Sequence, residues 1–131
     1  MRLVLDAGPL IALFQHEDAD HQVAVGGFSR LNEAAVKPFL PVPVAYEVFK
    51  WLLYRSGPDL AREALERMLN SLVTLEGDFA AACALVRAQP GWGGSLEDAT
   101  VAVLALDLGV PVWTLNYRDF SAFKRLELWN P

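Results

Sequence analysis

Short apolar runs alternate along the chain with longer segments whose hydrophobic residues recur every three or four positions, and these two periods distinguish strands from helices. Residues 2–6, RLVLD, form a brief apolar run closed by a carboxylate and predict a buried strand. Ala7-Gly8 then turns the chain. Pro9 suits the first position of a helix reaching Gln15, because its missing N–H would go unpaired there. A helix is expected over 22–36, weakened by Gly26-Gly27. A short strand over 38–42 leads through Pro43 into a helix over 44–55, which ends at Ser56-Gly57. Pro58 opens another helix, to Ser71, with Leu60, Ala64, Leu65, Met68 and Leu69 on one face. A third strand is predicted over 72–75 and a helix over 78–89, followed by the loop PGWGG at 90–94. Ser95 then starts the most regular helix, which Gly109 stops. A fourth strand covers 110–114, a loop or helical turn 116–120, and a short last strand 126–129.

Strands alternating with helices predict an α/β domain with a mostly parallel sheet and right-handed crossovers. Ligands collect in such folds beyond the carboxyl ends of the strands, where the strand order reverses. Asp6 and the 116–119 loop both follow strands, so they flank one crevice if the first and fourth strands are neighbours.

Length and composition fit this frame. The 131 residues, 53% of them hydrophobic, suffice for one domain over 1–131 with a buried core. The net charge of −5 argues against gripping nucleic acid by bulk electrostatics, which needs clustered Lys and Arg. It leaves room for an enzyme that draws a divalent cation into an acidic pocket. Cys83, the only cysteine, lies in an apolar helical stretch and behaves as a small hydrophobe. A reducing, cytoplasmic setting fits. Asp6, Gly8 and Pro9 interrupt the first apolar run well short of a signal segment or membrane span, so no membrane association is expected.

Four acids stand out by placement. Asp6 ends a hydrophobic strand, Glu47 interrupts an apolar helix start, Asp98 precedes the apolar run 99–106, and Asp119 sits between Arg118 and Phe120. Carboxylates in apolar segments are costly to bury unless paired or metal-bound, and gathered together they raise one another's pKa. A hard divalent cation resolves both problems. With no cluster of Cys or His, the donor set favours Mg²⁺ or Mn²⁺ over zinc, and phosphodiester hydrolysis is the chemistry that follows. Each acid also has an ordinary reading. Asp6 could satisfy backbone N–H groups at its turn, and Asp98 could complete a capping box with Ser95. Glu47 could pair with Lys50 one helical turn on, and Asp119 could cap the turn around Phe120.

Taken in order, VLDAGPLIAL (4–13), Glu47 after a strand, LEDATVAV (96–103) and TLNYRDF (114–120) resemble the four blocks of PIN domains, and most nearly the toxin-like PIN ribonucleases related to VapC. The resemblance spans nearly the whole chain. It implies a PIN-like three-layer sandwich with a five-stranded parallel sheet in the order 3-2-1-4-5, and Mg²⁺- or Mn²⁺-dependent endoribonuclease activity. Asp6, Glu47 and Asp98 match the acids that hold the metal, and Asp119 matches a fourth whose position varies. Thr114, Asn116, Arg118 and Lys50 are candidates to support the site or the RNA substrate. Asn116 stands where many members have Asp, and Gly8 where Ser, Thr or Asn is frequent. A cognate antitoxin partner is implied, laying a helix or extended strand in a groove and placing a basic side chain near the acids.

An alternative reading keeps the fold and makes the chain an interaction module that cuts poorly or not at all; Gly8 and Asn116 favour it. A haloacid-dehalogenase-type phosphatase is disfavoured because Asp6-Ala-Gly8 lacks a second Asp. Lys124 and Arg125 could line an RNA path, and Trp92, in its glycine-rich loop, is the best tryptophan for stacking on a base. His21 could assist binding or simply occupy a loop. A homodimer is expected as well, since Phe49, Trp51, Leu52, Leu53 and Tyr54 exceed what one core-facing stripe needs.

Overall fold

The computed structural model describes residues 2–131. Its elements are β1 (Val4–Leu5), α1 (Ala7–Phe14), α2 (His21–Glu33), β2 (Phe39–Pro41), α3 (Val42–Ser56), α4 (Pro58–Ser71), β3 (Val73–Leu75), α5 (Phe79–Ala88), α6 (Leu96–Leu108), β4 (Val112–Trp113) and α7 (Tyr117–Phe120). The strands form one parallel sheet in the order β3-β2-β1-β4. The chain thus builds outward from β1 through β2 to β3, then returns to the other side of β1 for β4. The order reverses at β1 and β4, which are neighbours as the expected crevice requires.

The sheet has four strands rather than five. The segment expected as the last strand makes a single parallel bridge, Val112 to Leu128. Val112 donates to Glu127 O at 2.9 Å and accepts from Trp129 N at 2.7 Å. β4 is only two residues long and follows Pro111, which has no N–H to donate, so it offers one register position on that side. Elsewhere the corrections are small. α1 begins at Ala7, with Asp6 as its N-cap; Pro9 is its third residue, still within the turn whose N–H groups have no partner. On α4 the buried residues are Ala61, Ala64 and Met68, whereas Leu65 and Leu69 are exposed, so the predicted face is rotated.

Burial explains the rest. β1, β2 and β4 are buried throughout, as continuous apolar runs in covered parallel strands should be; β3 is more exposed, at the sheet edge. α3 packs on α4 and α1, and α6 on α5, α3 and β1. Buried residues occupy nearly every position of α6 from Ala99 to Val103, which makes it the central helix. Its ends are well defined. Ser95 and Asp98 form a reciprocal capping box, and Gly109 closes it in the left-handed conformation at φ 66°.

Trp113 is fully buried between Phe28 and Trp129, with ring centroids 4.6 and 5.0 Å away. α2 reaches this indole through Gly27, where a Cβ would intrude on the ring. Its neighbour Gly26 is exposed, with open space around it. The two adjacent glycines therefore predict opposite outcomes. Gly27→Ala should destabilise the chain by about 1–3 kcal/mol through overpacking. Gly26→Ala should stabilise it by about 0.5–1 kcal/mol through helix propensity. Urea denaturation of the two variants checks this, and equal shifts of the same sign would contradict the packing described.

Candidate active site

Each of the four acids is positioned by a different element. Asp6 follows β1 and is 5% exposed. Thr114, fully buried at the end of β4, donates from Oγ1 to Asp6 Oδ2 at 2.7 Å and accepts from Asn116 N at 2.9 Å. One hydroxyl thus ties the two strand ends and the following loop to the carboxylate. Glu47 projects from the second turn of α3, and Asp98 from the first turn of α6. Asp119 lies on α7, where Asn116 Nδ2 donates to its Oδ2 at 2.9 Å while Asn116 Oδ1 caps the helix at Asp119 N.

Electrostatics links these groups. Burial raises Asp6 from the usual 3.8 to about 6, with the Asp98 charge adding to the effect and the Thr114 hydroxyl and Ala7 N–H opposing it. Glu47 is raised to about 7, first by burial and then by the charges of Asp6, Glu97 and Asp98. Asp98 is raised by burial and by Asp119 and Glu97, against two hydrogen bonds with Ser95. Glu47 Oε1 is buried and has no hydrogen-bond partner.

The expectation that three carboxylates stand close enough to share one ion is not met. Among the described residues no group of three His, Cys, Asp or Glu side chains is arranged to hold a metal. Like charges at low dielectric push apart, and Asp98 Oδ2 accepts from Ser95 N at 2.9 Å, which keeps it on its own helix start. The chemistry of the donors nevertheless fits a hard cation: every donor is a carboxylate oxygen, and one buried oxygen lacks a partner.

The supporting residues sort clearly. Glu47 does not pair with Lys50; the only ion pair among the described residues joins Arg118 Nε to Asp119 Oδ1 at 3.7 Å. The Lys50 side chain is exposed on α3 and forms no ion pair among the described residues. His21 starts α2, with Nδ1 2.7 Å from Ala12 O and its ring stacked on His16, which gives it a structural role rather than a loop position. Gly8 lies under Leu115, whose Cβ would be 3.2 Å from an added Cβ, so this chain packs Leu115 where a side chain could otherwise have stood. Asn116 makes an amide–carboxylate bond that an Asp could not make without a proton. One contributor was missed in the sequence, and one was singled out there for a different role. Glu97, beside Asp98, acts electrostatically on Glu47 and Asp98, and the consecutive acids in Leu96-Glu-Asp98 were its only signal. Trp92 donates from Nε1 to Asp119 O at 2.8 Å, a contact that no local spacing reveals.

The fold defines an α/β domain whose parallel sheet reverses its order between β1 and β4. No family model matches the sequence, and no curated protein matches it. Solved structures do. Mycobacterium tuberculosis VapC20, a toxin that cleaves the sarcin–ricin loop, superposes with a TM-score of 0.82 at 18% identity, over 98% of this chain and 99% of that one. Rickettsia felis VapBC2, bound to a DNA fragment from its promoter, gives 0.75 at 17% identity over 100% and 99%. Neisseria gonorrhoeae FitAcB gives 0.69 at 18% over 100% and 98%. The chain has the PIN fold of the VapC toxins.

The raised carboxylates fix a pH dependence. In the folded chain Asp6 and Glu47 hold protons more tightly than in the unfolded chain, so the folded state binds more protons between about 4 and 7. Their contribution is fully favourable below the unfolded pKa values and is lost as pH rises through the folded ones. The melting temperature in chelator should therefore fall from pH 5 to pH 8, and Glu47→Gln should flatten the fall. A profile that rises over this window would show that the acids are not mutually destabilising.

Proposed function

We propose that the chain is a metal-dependent endoribonuclease of the PIN family, a VapC-like toxin held in check by a cognate antitoxin. The observation that carries this reading is the placement of Asp6 and Asp119 beyond β1 and β4, where the sheet order reverses, each held by a hydrogen bond from Thr114 or Asn116. The structural neighbours add that proteins of this fold include a toxin that cleaves the sarcin–ricin loop and a toxin–antitoxin complex from Klebsiella pneumoniae.

Asp6, Glu47 and Asp98 would hold Mg²⁺ or Mn²⁺, with Asp119 as the fourth acid. A divalent ion bound there supplies positive charge for a phosphodiester under attack and lowers the pKa of water. The chain's own groups do the rest. The Thr114 hydroxyl fixes Asp6 in one orientation, and Asn116 fixes Asp119. Glu47 presents a buried Oε1 that no protein donor occupies, so that oxygen is free to face a cation. No helix of the structure is long and apolar enough to cross a membrane, and the proposed setting is the cytoplasm.

Copies of this chain would pair through α3 and α4. Of the surplus residues, Leu52 is buried, and Phe49, Trp51 and Leu53 pack partly against the core. Tyr54 remains exposed, and Tyr46, Leu65 and Leu69 on the same two helices are exposed with it. Such apolar surface suits an interface. A second reading, an interaction module that cuts poorly, is favoured by Leu115 filling the space over Gly8.

Three measurements test the proposal. Cleavage of RNA should require Mg²⁺ or Mn²⁺ and stop in excess chelator; undiminished cleavage there would refute the metal mechanism. Asp6→Asn should reduce cleavage about 100-fold or more while raising the metal-free melting temperature by relieving repulsion. An unchanged rate in the folded variant would remove Asp6 from the site. Light scattering at micromolar concentration should give twice the 14.4 kDa chain mass, and a mass of one chain would remove the dimer.

A further inference from the structure

Two hollows of the surface differ in the charge of their linings. One, of about 300 Å³, is lined by Val42, Pro43, Phe79 and Leu96 together with Glu76 and Glu97. Its walls are mainly apolar and its charges are negative, so a phosphate backbone is repelled there. The other, of about 480 Å³, opens between the 89–94 loop and α7, and is lined by Gln89, Trp92, Arg118 and Asp119 among others. It adjoins a further hollow of about 450 Å³, which shares Gln89 and Ala122 and adds Phe123, Lys124 and Arg125, with Asp107 as its one acid. A chain of net charge −5 thus lines a concave path with three exposed cations, beginning at the fourth acid of the site.

Trp92 is held firmly at the head of this path. Its Nε1 donates to Asp119 O at 2.8 Å, and Phe123 meets it edge-on with centroids 5.1 Å apart. Gly94 leaves room for the indole, since a Cβ there would intrude on the ring. The indole's remaining surface is a rigid wall of the hollow. An aromatic wall followed by cations at intervals is what a single strand of nucleic acid uses, one group for bases and the other for phosphates. An acidic peptide would need only the cations.

On the ribonuclease reading above, we propose that these two adjoining hollows form the path of single-stranded RNA on one side of the scissile phosphate. Trp92 faces the base nearest the acids, and Arg118, Lys124 and Arg125 carry the phosphates that follow.

The experiment uses the full chain in chelator and a short, fluorescein-labelled oligoadenylate followed by anisotropy. Three phosphate contacts give a slope of log affinity against log salt of about −2, and Lys124→Ala or Arg125→Ala should each reduce its magnitude by about 0.7. Trp92→Ala should weaken binding about tenfold, whereas Trp92→Phe, which keeps a ring but loses the donor to Asp119, should retain most of it. With Mg²⁺ added, Lys124→Ala and Arg125→Ala should raise KM and leave kcat in place, because neither residue touches an acid. Arg62→Ala, exposed on α4, serves as the control and should alter neither. RNA binding that ignores the Trp92, Lys124 and Arg125 changes would overturn the path and leave the nuclease reading standing. A wild-type chain that neither binds nor cuts RNA would overturn both. Displacement of the RNA by equimolar oligoglutamate would mark a docking face for acidic protein and overturn the path.

Discussion

The hydrogen bond from Thr114 Oγ1 to Asp6 Oδ2 joins the carboxyl ends of β1 and β4, the two strands between which the sheet reverses. Asp6 is almost fully buried and lies within the electrostatic reach of Asp98 and Glu47. A buried carboxylate in that position is costly unless it is hydrogen-bonded. The hydroxyl meets part of that cost and also fixes the register at which the crevice closes. Asn116, bonded through its N–H to the same hydroxyl, passes this placement on to Asp119. The position of the first acid and that of the fourth are therefore set by one side chain.

Residual repulsion shows where the arrangement is incomplete. Asp98 spends one oxygen on the Ser95 N–H and so starts α6 as well as facing the other acids. Of the two roles open on the sequence, cap and site residue, the cap is present, and a carboxylate still has lone pairs for a further partner. Glu47, with a buried oxygen and no donor, is the opposite case. It is the least satisfied polar group of the crevice and the one raised to about 7.

Much of the fold was legible because strand and helix periods are local. The alternation of elements, the strong start of α6 at Ser95 and its stop at Gly109 could be read directly from residue types. The acids could be singled out because each breaks an apolar run. What remained hidden depends on contacts distant in sequence. Gly26-Gly27 weakened the expectation of a helix, yet Gly27 is the point where α2 meets the Trp113 ring. Leu65 and Leu69 fit a helical stripe as well as Ala61 and Ala64 do, and only the small residues let α4 approach α3. The last strand shrank to one bridge because its neighbour is two residues long, a property of β4 and not of residues 126–129. Trp92 binds Asp119 across 27 positions, beyond the range of any motif.

The partners in the Asp6–Thr114 bond are 108 residues apart. On a ribosome adding about 5–20 residues per second, Asp6 is added about 5–20 seconds before Thr114. During that interval β1 lacks the neighbour that completes one side of the crevice, and the first carboxylate has no hydroxyl to orient it. The nascent chain consequently lacks the Asp6–Thr114 bond until residue 114 has been added and has left the ribosome.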